Sequence, residues 1–425
     1  MSPTPQPATP SFIRRGLGPI REVSRGVYLG PARALRHVNF RRFLSGQGIS
    51  LIGTWMQSIA LGWLVLELTH SAFAVGLTTT LSTLPILLLT LYGGVVADRV
   101  DKRRFIMLLQ SVMLLEAAAL AALTLTGHVT VHWVWGLAIV FGIATAFEVP
   151  ARQAFLVELV PPDDLISAAA INSTTYNLAR VIGPAIAGVV IAAAGTGAAF
   201  AFNALSYVAV LFALSRITKA YVPRIATDRP SVFTGLRFIK SRPTLAALSW
   251  QMVLLTIFAG SFVPMLSVYA RNALHVGSRG YGALTAAVGL GAALGAIVMG
   301  GLGNRISRLR TSVVSSGTLA AATMSLAFIR SPWPALGALA VAGAAMAGQG
   351  ISTATELQLA APSELRGRVM AVYSFVVLGL APIGAFQSGF VSEHFGVAWS
   401  FLFNAIVGMT GTVLLRRRLW TTQGA

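Results

Sequence analysis

Long apolar stretches without charge alternate with short charged segments over most of this 425-residue chain. In the clearest case the uncharged stretch 71–97 stops at Asp98, and four basic and two acidic side chains follow within Asp98–Arg104. A second apolar stretch begins at once with Phe105. Because the charged segment is so short, the pattern predicts two hydrophobic helices that turn back on each other. The glycines Gly93 and Gly94 just before the turn are expected to allow close helix approach.

Twelve apolar stretches are long enough to cross a membrane as helices, which takes about 20 mostly apolar residues each. The predicted helices cover 43–66, 72–97, 104–126, 132–158, 164–193, 198–215, 245–270, 279–303, 311–329, 334–360, 365–392 and 397–415. The predicted fold class is therefore an all-α membrane protein with twelve transmembrane helices.

An internal repeat divides these helices into two sets of six. The turn Gly300–Arg310 repeats the turn Gly93–Arg104, with Asn304 in the place of Asp98. Two pseudo-symmetric six-helix bundles with matching landmarks predict a binding cavity at their interface, near the middle of the bilayer.

The predicted domains follow from this division and from a long, basic, proline-containing gap between the sets. They are a cytoplasmic N-terminal tail (1–40), a first bundle (41–216), a cytoplasmic linker (217–243), a second bundle (244–418) and a cytoplasmic tail (419–425). Within the linker, Ser231–Lys240 is expected to lie along the membrane surface as an interfacial helix.

Composition supports the membrane assignment. Only 11% of the residues are charged and 55% are hydrophobic, whereas a soluble domain carries about 25% charged residues. The chain contains no cysteine, which excludes disulfides and thiolate metal sites. Two histidines, His128 and His132, flank one loop without a third ligand, so no metal and no cofactor is expected.

The net charge of +19 is distributed in a way that predicts orientation. Almost all of the 32 Lys and Arg residues lie in the segments on one side of the predicted helices; the exceptions are Arg180, Arg271, Arg279 and Arg330. Basic loops mark the cytoplasmic side. Both termini are therefore predicted to be cytoplasmic in a multi-pass bacterial inner-membrane protein, and the positive charge needs no nucleic-acid partner.

The first charged turn carries a recognisable set of residues. They are Gly94, Asp98, Arg99, Lys102 and Arg103, with Asp101 at the position of a second glycine. This set resembles the signature of the major facilitator superfamily. Together with the stretch Asn39–Leu77 it is similar to the enterobactin-exporter and macrolide-efflux branch, and the resemblance covers about residues 40 to 418.

The resemblance implies that Asp98 latches the cytoplasmic ends of the two halves in the outward-open state. An aspartate can do so by binding the positive N-terminus of a facing helix, here the one that starts near Ser363. Glu158 is expected to pair with Lys102 or Arg103. The alternative is that the turn is simply a solvated charged loop.

The sequence GPAIAG resembles the antiporter motif of drug–proton exporters. It contributes Gly183, Pro184 and Gly188, with Ala187 at the first of the motif's paired glycines. The alternative interpretation is an ordinary proline kink with a face of small packing residues.

Charged residues inside membrane helices are costly and need a reason. Glu116, in the middle of a predicted helix, is a candidate proton carrier, or else makes an inter-helix hydrogen bond. Glu148 and Arg152, four residues apart, are expected either to pair or to line the cavity, and Arg152 is also a candidate partner of Glu356 across the interface. Arg180 is a candidate for binding an anionic substrate or pairing with an acid.

Polar and aromatic residues inside the predicted helices are candidates for lining the cavity. They are Trp55, Gln57, Asn172, Tyr176, Asn177, Asn203, Gln251, Tyr269, Gln349 and Gln387. Each is equally suited to an inter-helix hydrogen bond, which membrane helices also use.

These features predict a secondary transporter that works by alternating access. The expected task, carried by the resemblance, is proton-coupled export of amphipathic small molecules such as drugs or a siderophore, by a monomer in the lipid bilayer. Alternatives are a proton-coupled importer or facilitator, or a membrane sensor that keeps the fold. No nucleophile–base pair or metal cluster stands out, so an enzyme is not expected.

Overall fold

A computed structural model describes residues 32–217, 232–302 and 306–420, and this part of the chain is helical throughout. The first helices are α1 (Val38–Thr69), α2 (Ala72–Ala97), α3 (Lys102–Leu125), α4 (Val131–Glu158) and α5 (Leu165–Ser215). They are followed by α6 (Val232–Lys240), α7 (Pro243–Leu254), α8 (Leu266–Val268), α9 (Ser278–Leu302), α10 (Arg308–Leu326), α11 (Pro332–Ala360), α12 (Ser363–Ser374), α13 (Ala381–Phe395) and α14 (Val397–Trp420).

Several helices begin at a short polar side chain that caps the first turn. Ser71, Asp101 and Thr130 accept hydrogen bonds from the backbone N–H groups of Ala74, Arg104 and Trp133 and so start α2, α3 and α4. Such caps satisfy N–H groups that have no partner within the helix. Asp101, which replaces the signature glycine, thus starts α3 and fixes the sharp reversal expected at the charged turn.

The predicted all-α membrane fold is confirmed. The predicted number of twelve transmembrane helices is not. Ten helical segments of the described chain are long and apolar enough to cross a membrane. The predicted helix at 311–329 corresponds to α10, which is not among the ten. The predicted helices at 164–193 and 198–215 both fall within α5.

Helix α5 reverses its direction at Gly195, where φ is 78° and ψ is 173°. Gly183 lies against Trp55 of α1, and Asn203 lies against Gly53, two residues away on the same helix. A straight helix would hold residues 183 and 203 about 30 Å apart. The chain therefore doubles back, through a positive φ that glycine adopts readily, and forms a first arm (165–194) and a second arm (196–215).

Two other predicted helices are interrupted. The stretch 245–270 contains a π turn at Leu255–Ala259, and 365–392 contains another at Phe375–Gly379. Pro264 and Pro382 follow these turns within a few residues. Proline has no backbone N–H to donate, so it breaks the regular hydrogen-bond ladder.

The two ends of the bundle are distinguished by the turns they carry. The His70 end holds the turn at His70, the reversal at Gly195 and the turn at Gly396; the Asp98 end holds the charged turn at Asp98 and the start of α7. Residues 1–31 and 421–425 of the predicted tails and residues 218–231 of the linker lie outside the described residues, as does Asn304. The expected helix is present as α6, which packs its Gly235 on α12. Its position along the membrane surface stays a prediction.

Buried side chains form one shared core and two separate ones. A cluster with members from both halves, including Trp63 and Tyr281, fills the His70 end and the middle of the bundle. Toward the Asp98 end, one cluster around Phe155 belongs to the first half and another around Leu248 belongs to the second. The halves are therefore joined by a core at one end and packed separately at the other.

Candidate functional site

Glycines bring the two halves into backbone contact at the His70 end. A methyl group on Gly76 of α2 would lie 2.6 Å from the Ala385 carbonyl oxygen of α13 and 2.8 Å from the Gly389 Cα. A methyl group on Gly188 of α5 would lie 3.0 Å from the Gly282 Cα of α9. Small residues permit such close crossings between membrane helices, and these crossings close one end of the interface.

The residues of the GPAIAG sequence take part in this packing. Gly183 lies against the Trp55 side chain and the Ile52 carbonyl of α1, while Gly188 and the Pro184 carbonyl oxygen face Gly282 of α9. The geometry gives both glycines a packing role on opposite faces of the first arm of α5. Whether the sequence also has the exchange role of the antiporter motif stays a prediction.

A polar clasp joins the halves at the same end. Glu393 of α13 accepts hydrogen bonds from the Ser71 hydroxyl (3.0 Å) and the Phe73 backbone N–H (3.1 Å), at the N-terminus of α2. A negative charge there is favoured by the helix dipole. The Arg271 guanidinium also donates to the Leu66 carbonyl at 3.1 Å. The sequence analysis missed Glu393, because its partners lie more than 300 residues away in the chain.

A surface pocket of about 440 Å³ lies beside this clasp. The first half contributes His70 and Ala72 to its walls, and the second half contributes His275, Arg330 and Glu393 among others. We call it the clasp pocket.

The charged turn at the Asp98 end is fastened within the first half. The Lys102 ammonium lies 2.8 Å from the Glu158 carboxylate, so this predicted ion pair is present. Arg103 instead donates to the carbonyl oxygens of Leu214 and Ser215, each at 2.8 Å. Asp98 and Arg99 are exposed. The latch between Asp98 and the helix start near Ser363 stays a prediction.

Only one of the two glycines before this turn meets a neighbouring helix. A methyl group on Gly93 would lie 2.6 Å from the Ala146 carbonyl oxygen of α4, whereas Gly94 has no neighbour within 4 Å of that position. The expectation of close approach is therefore correct for Gly93 and wrong for Gly94 in this conformation.

Glu116 is buried in the first half without a cation. Its side chain is among the least exposed polar groups, and the Gln57 amide donates to both carboxylate oxygens at 3.1 and 3.0 Å. The Gln57 oxygen in turn accepts from the Asn203 amide at 2.6 Å. None of the ion pairs among the described residues includes Glu116. The Glu116 carboxyl is thus held by the neutral Gln57 amide of α1, which is itself held by the Asn203 amide of α5.

Glu148 and Arg152 of α4 form the predicted ion pair, at 2.9 Å. The Gln110 amide also donates to the same carboxylate oxygen at 3.1 Å. Glu356 of α11 is half-buried, and none of the ion pairs in the described ranges joins it to Arg152. In this conformation Arg152 is neutralised on its own helix.

Arg180 lies beside two aromatic side chains. Its guanidinium carbon is 6.0 Å from the centre of the Trp55 ring, and Trp55 meets the Tyr176 ring edge-on at 5.9 Å. The sequence analysis named all three separately, and the structure brings them together. Tyr176 is 41% exposed, so the cluster borders open space.

The other candidate cavity residues divide between hydrogen bonds and unpartnered amides. Gln251 accepts from Ser312, Gln349 donates to Thr353 and Tyr269 donates to the Ile329 carbonyl. Asn177 donates to the Ser173 carbonyl on its own helix, and Asn172 is half-buried. The buried amide nitrogens of Gln251 and Gln387 have no hydrogen-bond partner in the described chain.

The helical arrangement, with two halves around an interface, is that of the major facilitator fold. A bacterial homologue of the human lysosomal transporter Spinster has a TM-score of 0.72 at 13% identity, covering 90% of this chain and 97% of that one. The nucleoside transporter NupG has a TM-score of 0.71 at 13% identity, covering 91% and 100%. At such identities the likeness shows the fold alone.

The sequence itself places the chain more narrowly. Residues 30–423 match the family described as transmembrane secretion effector, and the chain belongs to this family of major facilitator transporters. It is an integral membrane protein and a transporter, and its family is not one of enzymes. The predicted resemblance to the enterobactin-exporter branch is confirmed by the relatives.

Three curated relatives illustrate that branch. The multidrug efflux pump Tap of Mycolicibacterium fortuitum is 27% identical over 84% of this chain and 88% of its own. The enterobactin exporter EntS of Salmonella choleraesuis is 25% identical over 80% and 82%. The staphyloferrin A transporter of Staphylococcus aureus is 34% identical over 40% of this chain, and the match spans less than half of that relative, 44%.

Proposed function

We propose that this chain is a proton-coupled exporter of amphipathic small molecules, a drug or a siderophore, that works by alternating access. The observation that carries the proposal is Glu116, a carboxyl that is buried inside the first half without a cation, in a protein whose two halves are closed at one end. Export as the direction is supported by the relatives, since Tap and EntS are described as an efflux pump and an exporter.

Glu116 is suited to carry the proton because its surroundings offer no charge. A buried carboxylate held only by amides is costly, and a proton on it removes the charge. Its partner Gln57 lies two residues from Trp55 on α1. A change in the protonation of Glu116 therefore alters a hydrogen bond close to the Trp55–Tyr176–Arg180 cluster. Proton binding and substrate binding are thereby linked through one helix.

The proposed topology has twelve crossings. The two arms of α5 cross separately, and α10 crosses as well: its 19 residues span about 28 Å, close to the hydrocarbon thickness of about 30 Å. The proposal keeps two six-helix bundles at 41–216 and 244–418, a monomer, and both termini in the cytoplasm. The Asp98 end is then cytoplasmic, and the conformation described is open to the inside.

Substrate-induced proton movement in proteoliposomes tests this function. Purified protein is reconstituted with a pH-sensitive dye inside, and macrolides, dyes and a catecholate siderophore are added under an imposed proton gradient. We expect proton flux opposite to substrate flux in the wild type. It should be lost in Glu116→Gln, which keeps the shape and the contact with Gln57, and kept in Glu356→Gln.

Substrate exchange without a gradient provides the folding control, because counterflow needs no net proton transfer. Glu116→Gln should retain it. Coupled flux that survives in Glu116→Gln and disappears in Glu356→Gln or Glu148→Gln would assign the proton to another acid. Substrate flux without any proton movement in the wild type would identify a facilitator, and binding without flux a sensor.

A further inference from the structure

Arg180 is a cation inside a membrane helix that the described protein leaves unpaired. It lies fifteen residues after the start of α5 at Leu165, about 22 Å along the helix. None of the ion pairs or side-chain hydrogen bonds among the described residues includes its guanidinium; its one described contact is the face of the Trp55 ring. Charged groups at this depth are rare and are usually kept for function.

The cluster sits where the opening between the halves ends. The Arg180 carbonyl and Val181 lie against Gly289 of α9, and from there toward the His70 end the two helices stay in contact down to Gly188. One turn toward the Asp98 end, Tyr176 is exposed although it is a large aromatic residue. Arg180 therefore lies where the contact between α5 and α9 begins, and Tyr176 lies beyond that contact, toward the Asp98 end.

We propose that Trp55, Tyr176 and Arg180 bind an anionic aromatic group of the substrate, such as a ring that bears a carboxylate, sulfonate or phenolate. The planar guanidinium matches an oxyanion with two parallel hydrogen bonds, and the two rings supply edge-on and stacked contacts for the aromatic part. The inference rests on the proposed transport function and narrows its substrate class.

The acids near the cavity are arranged in agreement with this preference. Glu116 is buried behind Gln57, and Glu148 is already neutralised by Arg152. A cationic substrate that reached the Trp55–Tyr176–Arg180 cluster would meet the unpaired Arg180 guanidinium instead of a carboxylate. Arg180 therefore selects for anions and against cations of the same shape.

Two dyes with the same xanthene ring test the charge preference directly. Fluorescein is anionic and rhodamine 6G is cationic, and fluorescence polarisation measures the binding of each to the purified full-length protein. We expect the wild type to bind fluorescein more tightly than rhodamine 6G. Arg180→Gln should weaken fluorescein binding at least about tenfold, as expected for a lost charge-assisted pair, without weakening rhodamine 6G binding. Arg180→Lys should restore part of the fluorescein affinity.

Arg279→Gln is the matched control, because it removes the same charge at an exposed position at the His70 end, outside the clasp pocket, and should leave both affinities unchanged. Trp55→Leu should weaken both dyes by removing the stacking surface. A wild type that does not prefer fluorescein, or an Arg180→Gln protein that weakens both dyes equally or neither, overturns the proposal.

Dye flux in proteoliposomes separates this inference from the proposed function. Arg180-dependent binding of fluorescein without proton-coupled transport would keep the binding site and reject the function. Proton-coupled transport of rhodamine 6G that does not depend on Arg180 would keep the function and reject the site.

Discussion

The neighbouring glycines Gly93 and Gly94 show how strongly the role of a residue depends on which face of a helix it occupies. They have the same conformation, yet Gly93 faces the backbone of α4 at Ala146 and Phe147, and Gly94 faces open space. Sequence alone cannot separate them, because both precede the same turn.

We predict that Gly93→Ala destabilises the protein by about 1–3 kcal/mol, since the added methyl group overpacks a backbone contact, whereas Gly94→Ala leaves stability nearly unchanged. Thermal unfolding in detergent, followed by the fluorescence of the eight tryptophans, measures both. Equal losses in the two variants would show that the contact with α4 is not what constrains Gly93.

Spacing and motifs in the sequence predicted some contacts of the site. Contacts between residues far apart in the chain were mostly not predicted. The pair Glu148–Arg152 follows from a four-residue spacing, and Lys102–Glu158 from the charged turn and the motif. Trp55 and Arg180 were recognised as unusual, but their contact joins α1 to α5. Glu393 was missed entirely, because an acid near a predicted helix end looks like any loop residue until its partner on α2 is known.

At the level of helices, the crossing of α2 with α13 holds the His70 end closed. Its glycines Gly76 and Gly389 allow backbone contact, and Glu393 adds two hydrogen bonds to the start of α2. In the proposed alternating-access cycle the outward-open state has to break these bonds, so they would set part of the balance between the two states.

We predict that Glu393→Ala shifts the protein toward a state opened at the His70 end. Glu393 is exposed, so solvent weakens its hydrogen bonds; a combined loss of about 1 kcal/mol changes a population about fivefold. Spin labels on cysteines at the exposed positions His128 and Phe395 report the separation of the halves, and the chain has no native cysteine to remove. The longer distance should gain population.

Glu67→Ala is the control for this experiment. Glu67 lies near the same end, but its hydrogen bond goes to Trp63 on its own helix. The distance distribution should therefore match that of the unsubstituted labelled protein. The same shift in Glu67→Ala, or none in Glu393→Ala, would show that the clasp does not hold the halves together.

The helices themselves were largely predictable, and their irregularities were not. Apolar length placed α2, α3, α4 and α11 within a few residues, because the bilayer demands long uncharged segments. The reversal of α5 at a single glycine and the π turns before Pro264 and Pro382 depend on local backbone geometry. Hydrophobic patterning does not report that geometry.

For the whole molecule, the shared core at the His70 end and the separate cores at the Asp98 end define one of the two end states of the proposed alternating-access cycle. The division into halves follows from the repeated turns in the sequence. Which end is closed could not be predicted, because both states use the same sequence and differ in contacts between distant helices. Hydrophobic patterning therefore does not predict which end of the bundle is closed.

The proposed orientation predicts which loops are reached from outside the cell. A cysteine at His128, between α3 and α4, should react with a membrane-impermeant maleimide in intact cells, and a cysteine at Val100 in the charged turn should react only after permeabilisation. Both positions are exposed, and the cysteine-free chain gives no background. The reverse labelling pattern would invert the topology.

The clasp pocket has a pharmacological consequence. Its volume of about 440 Å³ is in the range that accommodates small organic molecules, and its walls come from both halves. A compound bound there would contact both halves and so favour the state in which the hydrogen bonds of Glu393 to the start of α2 are formed. On the proposed topology the pocket opens to the exterior, so a compound would reach it without crossing the bilayer.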